Sequence, residues 1–265
     1  MSQSRWFTDR DGSAILATEG RIRNVSKRAR RLKETLASRL HAIEAKITAA
    51  CVRAGRERAD VTLVAVTKTV PPPVAAALNE LGVANLGESR PQELWRKAAR
   101  LPTTIRWHLV GHLQRNKIER TLPLVSLIHS IDSVRLLQSL DEDAAKRSQS
   151  PSVLLEVNAS REANKHGFAV DGFADLLPQV STFQHVRIVG LMTMAALTAD
   201  PEECRATFRK LRELRDRLRS EFKPPHELEQ LSMGMTNDFE IAIEEGATLV
   251  RIGTALFEGL SEAES

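Results

Sequence analysis

The residues of this chain that could do chemistry fall at the ends of short apolar runs. Lys68 directly follows Val61-Thr-Leu-Val-Ala-Val-Thr67, where a buried strand would leave the core. Partial desolvation of an ammonium there favours the neutral amine, which can attack a carbonyl and form a Schiff base. The alternative is a lysine turned to solvent or paired with Glu88. Later in the chain, Ser232-Met-Gly-Met-Thr-Asn-Asp238 follows another apolar run and opens a helix through Phe239-Glu-Ile-Ala-Ile243. Hydroxyls, a glycine and unpaired backbone N–H groups then converge at a helix N-terminus, which suits an anion. Arg251-Ile-Gly-Thr254 precedes a last short helical segment, Ala255 to Leu260, in the same way. Either segment alone is compatible with ordinary helix capping; the two together favour a phosphate.

A lysine amine and a phosphate cup ask for one small molecule that carries an aldehyde and a phosphate, and pyridoxal 5′-phosphate carries both. Arg251 lies two residues before Gly253, hence on the same face of its strand, where it could meet the pyridine nitrogen. A guanidinium donates and stays charged, so it leaves that nitrogen unprotonated and weakens the electron sink. The alternative for Arg251 is an internal salt bridge, with Glu88 as its partner.

The elements that must position these groups are legible as a rhythm. Eight β-rich runs are expected at Val61 to Val66, Val83 to Leu86, Ile105 to Val110, Leu127 to Ile131, Val153 to Val157, Val186 to Met192, Leu228 to Leu231 and Thr248 to Ile252. Helix-compatible sequence separates them, clearest at Phe208, Leu211, Leu214, Leu218 and Phe222. Apolar strands alternating with amphipathic helices predict a closed α/β fold, a (β/α)8 TIM barrel, with its site at the carboxyl ends of the strands. An open doubly wound sheet is the competing architecture, but no GxGxxG or GxxxxGK[ST] loop follows any strand. Ahead of the barrel, Leu32, Leu36, Leu40, Ile43, Ile47 and Cys51 predict one helix, ended by Gly55. Residues 1–30 are read as a flexible or partly helical extension, and 31–265 as the barrel.

Several blocks resemble the pyridoxal phosphate homeostasis proteins, whose barrel is of the alanine racemase N-terminal-domain type. The resemblance runs from about residue 35 to 260. It is carried by Val64-Ala-Val-Thr-Lys-Thr69, Leu86-Gly-Glu88, Trp107-His-Leu-Val-Gly-His-Leu-Gln-Arg-Asn-Lys117, His129-Ser-Ile-Asp132, Val157-Asn-Ala-Ser160 with Lys165 and Gly167, Gly190-Leu-Met192, Leu231-Ser-Met-Gly-Met235 with Asp238, and Val250-Arg-Ile-Gly-Thr254. It implies a fold-type III pyridoxal phosphate barrel with Lys68 as the Schiff-base lysine, Ser232, Gly253 and Thr254 at the phosphate, and Arg251 at the ring nitrogen. Ser89, Met192, Gly234, Met235 and Thr236 complete the implied cofactor-binding set. Ser89 stands where the family usually carries Asn after Gly-Glu, and Thr236 where it often carries Ser.

Among the remaining polar residues, His108 is read as a buried structural imidazole, because no orienting partner is visible along the chain. Gln114 to Lys117 either bind an anion at the mouth or open the next helix. The related racemases use a second base, a tyrosine, and an extra C-terminal β-domain. This chain has no tyrosine, and eleven residues follow Thr254. The expectation is a carrier and buffer of pyridoxal phosphate, covalently held at Lys68, that lacks robust turnover and meets apo-enzymes transiently. A weak racemase or lyase using Lys68 is the alternative.

Composition sets the outer bounds. At 42% hydrophobic and 27% charged residues the chain is of globular type, neither disordered nor fibrous. No apolar stretch approaches the ~20 residues of a membrane span, so a cytoplasmic protein without membrane contact is expected. Cys51 and Cys204 have no metal-ligand spacing, which argues against a zinc site or a disulfide framework. The net charge of +4 is local: residues 1–60 hold 14 Lys and Arg against 7 Asp and Glu. That arm, with the Arg-rich segment Pro201 to Phe222, is read as a solvated face rather than a nucleic-acid module. With no apolar stripe left over, a monomer is expected.

Overall fold

The computed structural model describes residues 11–160, 166–180, 182–196 and 200–260, with side chains described from residue 26 onward except that of Ala174. Lys165 and the first ten residues lie outside the described part. The strands are β1 Thr62–Val66, β2 Asn85–Glu88, β3 Arg106–Leu109, β4 Val125–Ile131, β5 Ser152–Asn158, β6 Phe168–Ala169, β7 Arg187–Met192, β8 Gln230–Ser232 and β9 Leu249–Ile252. Every pairing is parallel, and the order β1-β2-β3-β4-β5-β7-β8-β9 closes through β9 onto β1. This is the expected eight-stranded barrel. The two-residue β6 pairs only with the end of β5 and stands outside the ring; too short to show a β period, it left no signal in the sequence. The second strand starts and ends two residues later than its apolar run, because its last residue, Glu88, is buried by an ion pair rather than by hydrophobicity.

The helices are α1 Asp11–Arg53, α2 Pro72–Glu80, α3 Pro91–Ala98, α4 Ile118–Thr121, α5 Val134–Arg147, α6 Phe173–Val180, α7 Arg205–Leu218, α8 Phe239–Glu244 and α9 Thr254–Phe257. Prolines open α2 and α3 in the first turn, where the missing N–H costs nothing. Helix α1 runs without a break across residue 30 and packs on α2, α8 and α9. Leu36, Ile43, Ile47 and Cys51 of the predicted stripe are buried, each large aliphatic contributing about 1.5–3 kcal/mol. Gly55, at φ +65°, turns the chain out of that helix.

The period of two along the strands divides the core into two layers. Leu63, Ala65, Leu86, Trp107, Leu109, Ile128, Leu155, Leu231, Val250 and Ile252 face the helices in the outer layer. Val64, Leu127, Leu154, Met192 and Leu249 fill the lumen. Inward positions nearer the carboxyl end of the barrel are polar: Arg251 on β9, Ser232 on β8, His129 on β4 and Glu156 on β5. The apolar plug thus supports a polar floor from below.

Candidate functional site

Above that floor, at the carboxyl ends of the strands, a cavity of about 430 Å³ is lined by Lys68, Ser89, Met235, Thr236, Arg251, Gly253 and Thr254, with Val66, Asn237 and Asp238 among its other walls. The volume is within the range of small-molecule and cofactor sites. Lys68 is exposed at its wall, not partly desolvated as its position after β1 suggests, because the chain has already cleared the rim. Neither alternative pairing with Glu88 is realised. The Glu88 carboxylate faces outward from β2 and takes Lys97 Nζ of α3 at 2.5 Å and Thr67 Oγ1 at 2.6 Å. Among the described residues Lys68 makes no ion pair or side-chain hydrogen bond, so its amine is available to a ligand.

Lys97 is a site-supporting residue that sequence reasoning passed over. It is 1% exposed, and its Nζ also donates to the carbonyl of Thr67 at 2.6 Å, one residue before Lys68. A buried lysine on an amphipathic helix looks like any solvated one in a single sequence; only the buried Glu88 opposite it explains the burial.

The loops after β8 and β9, the latter beside β1, carry the anion-binding groups. Gly234, at φ +92°, makes the turn after β8; a Cβ there would lie 2.5 Å from Ala242 Cβ and 2.9 Å from Phe239 Cα. Asp238 stands at the N-cap position of α8, and its carboxylate turns back to accept from the Met235 N–H rather than from the helix. Gly253 crosses the end of β1, where a Cβ would sit 3.1 Å from the Val66 carbonyl. Thr236 Oγ1 accepts from the Ala255 N–H at 3.3 Å and ties the two loops together. Among the described residues the N–H groups of Thr236, Asn237, Gly253 and Thr254 have no protein acceptor. Four unsatisfied donors on one wall suit a phosphate.

Three of the expected cofactor residues do not line the cavity. Met192 is wholly buried in the lumen plug. Ser232, fully buried, has its hydroxyl taken by Arg251 Nη1 at 2.6 Å and His129 Nδ1 at 2.8 Å. Gly234 shapes the loop from behind. Arg251 forms part of the floor, 5% exposed, and donates from Nη2 to the Thr193 carbonyl at 3.0 Å. Burial lowers its pKa to about 10, against the opposing pull of Asp238 and Glu156, so it remains a cation at neutral pH. Its expected alternative, a salt bridge with Glu88, is absent because Glu88 points out of the barrel.

His108 is buried as expected, but it does have orienting partners: His129 at 2.9 Å and Asn85 at 3.2 Å, both brought to it by neighbouring strands. Burial, then the Arg106 charge, lowers its pKa to about 4; burial holds His129 well below the usual value, helped by His108 and Arg251. The inward parity of both residues was the available signal. Glu156, 8% exposed, has its pKa raised by burial and then by Asp132. Arg115–Lys117 form a 3-10 turn leading into α4, so the Gln114 to Lys117 block does open the next helix.

Comparison with known proteins decides the family. The model for the alanine racemase N-terminal domain matches residues 38–261. A pyridoxal phosphate homeostasis protein of Aquifex aeolicus is 41% identical over 220 residues, covering 83% of this chain and 96% of that one. The chain belongs to the pyridoxal phosphate homeostasis protein family. A second family member, from Pseudomonas aeruginosa, is 37% identical over 84% of this chain and 95% of its own. The solved structure of PipY from Synechococcus elongatus, with pyridoxal phosphate bound, superposes with a TM-score of 0.73 at 33% identity, covering 84% of this chain and 99% of that one. The family barrel and the closed sheet described above are the same architecture.

The remaining chemistry is quickly bounded. Among the described residues no group of His, Cys, Asp or Glu could hold a metal ion. No helix among them is long and apolar enough to cross a membrane. Three arginines of the Arg-rich α7 are paired with carboxylates: Arg205, Arg209 and Arg212 all pair with Glu245, and Arg205 also with Glu202 and Glu244.

Proposed function

We propose that this chain binds pyridoxal 5′-phosphate, attached covalently through Lys68, and serves as an intracellular carrier and buffer of that cofactor. The observation that carries the reading is one cavity lined both by an unpaired lysine amine and by four N–H groups without protein acceptors, over a floor that presents a buried guanidinium. The residues fit the group. Thr236, Asn237, Gly253 and Thr254 would hold its phosphate, Arg251 its ring nitrogen, and Ser89 and Met235 would border it; Ser232 and Met192 act from beneath by holding Arg251 and filling the lumen. When bound, the cofactor supplies an electrophilic carbonyl and an electron-accepting ring. Arg251 donates and holds its proton, so the floor offers the ring nitrogen a hydrogen bond without transferring a proton.

Absence of robust turnover belongs to the same proposal. The chain has no tyrosine to act as a second base, and Arg251 keeps the ring a poor electron sink. Deuterium exchange at the α-carbon of a panel of amino acids in heavy water tests this. Negligible exchange is expected; Lys68-dependent exchange at ~1 per second or faster, an ordinary enzymatic rate, would make the protein a racemase or lyase instead. We further propose that residues 31–265 form the cofactor-binding domain, that residues 1–30 are an appendage to it, and that the protein is monomeric.

A further inference from the structure

The polar floor of the barrel is one continuous hydrogen-bonded line. Arg251 Nη1 donates to Ser232 Oγ at 2.6 Å, Ser232 Oγ lies 2.8 Å from His129 Nδ1, His129 Nε2 lies 2.9 Å from His108 Nδ1, and His108 Nε2 lies 3.2 Å from Asn85 Oδ1. The line starts on β9 and crosses to β8, β4, β3 and β2. All members except Asn85, which is half-buried, are 5% exposed or less.

Its direction follows from its first member. A guanidinium has donors and no acceptor. Ser232 Oγ therefore accepts from Arg251, and among the described residues its own proton has one available acceptor, His129 Nδ1. His129 Nδ1 is then bare, and the ring proton sits on Nε2, donating to His108 Nδ1. The same step repeats: His108 carries its proton on Nε2 and donates to the Asn85 carbonyl oxygen. A second proton on either ring would set two donors face to face. The cations near the rings act the same way, Arg251 on His129 and Arg106 on His108.

We propose that His129 and His108 are positioning residues for Arg251: two neutral imidazoles, both protonated on Nε2, that form a one-way line holding the guanidinium at the cavity floor. A line that begins at an obligate donor cannot carry a proton to or from the ligand, so the floor is a fixed electrostatic surface rather than a relay. The effect on cofactor retention rests on the pyridoxal phosphate reading; the tautomers do not.

The test has two arms on the full chain. In the first, 15N NMR of histidine-labelled protein freed of vitamer follows both rings from pH 8 to pH 5. The expected result is a neutral Nε2–H signature throughout; an Nδ1–H tautomer, or a protonation midpoint near the ordinary 6.5 at either ring, overturns the proposal. In the second, the rate of pyridoxal phosphate release is compared among wild type, His129→Leu and His129→Gln, whose amide can accept from Ser232 and donate to His108. Release faster by about threefold to tenfold, the scale of one neutral hydrogen bond, is expected for the leucine variant, with near wild-type release for glutamine. Equal release from all three, or equal impairment of both variants, overturns the proposal. If wild type takes up no vitamer, the cofactor reading fails while the first arm still decides this one.

Discussion

Replacing Lys97 by Met probes the support beneath the cavity wall. In the native chain Nζ satisfies both Glu88 Oε1 and the Thr67 carbonyl, and the ion pair is 1% and 0% exposed. Glu88 Oε2 already lacks a partner. Removing the ammonium leaves a buried carboxylate with only Thr67 Oγ1 for company, which costs about 3–5 kcal/mol. For a chain of this size each kcal/mol moves the midpoint by about 2–4 °C, so a fall on the order of 10 °C is expected. Pairing Lys97→Met with Glu88→Leu removes both buried charges and recovers most of that loss. Urea titrations of the wild type, the two single variants and the double variant give the coupling directly. A Lys97→Met loss under about 1 kcal/mol, the range of exposed ion pairs, or a double variant whose loss equals the sum of the singles, refutes the clamp. Because the clamp holds the residue before Lys68, the single variant should also capture less pyridoxal phosphate at equal concentration.

Other consequences can be measured alongside. Glu156 is raised in the folded state, so its ionisation opposes folding above the ordinary carboxylate value of 4.5. Glu156→Gln is therefore expected to melt higher than wild type at pH 7, with the difference vanishing toward pH 4; an unchanged melting point at pH 7 contradicts the burial argument. His108 and His129 are lowered, so the folded state forgoes protons that the unfolded chain binds below 6.5. Their share of stability is present above pH 6.5 and lost as pH falls toward 4, and a melting series should show that decline flattened in His129→Leu. Gly234→Ala places a Cβ 2.5 Å from Ala242 Cβ in a left-handed backbone, which should shift the start of α8 and weaken pyridoxal phosphate binding at least tenfold, about 1.4 kcal/mol. Equilibrium binding at wild-type strength would show that the loop does not hold the phosphate.

The barrel was readable because apolar runs alternate with amphipathic helices along the chain, and the lysine and both anion loops sit where such a fold puts its site. Val61 to Val66 and Thr248 to Ile252 were legible as β-rich runs. The strand at Asn85–Glu88 was misplaced by two residues because ion pairing, not apolarity, buries its end. Ser232, which the resemblance implies at the phosphate, points by strand parity into the lumen and holds Arg251. The histidine line and the Lys97 clamp join residues 9 to 103 positions apart, and no local pattern encodes such partners.

The central claim is that the Lys68 amine holds the aldehyde of a phosphate-anchored vitamer. Incubation of the full chain with pyridoxal phosphate, borohydride reduction and peptide mass mapping tests it most directly. The account predicts one phosphopyridoxyl adduct, on Lys68, and none in Lys68→Ala. An unmodified Lys68, or equal labelling of the alanine variant at another lysine, contradicts it.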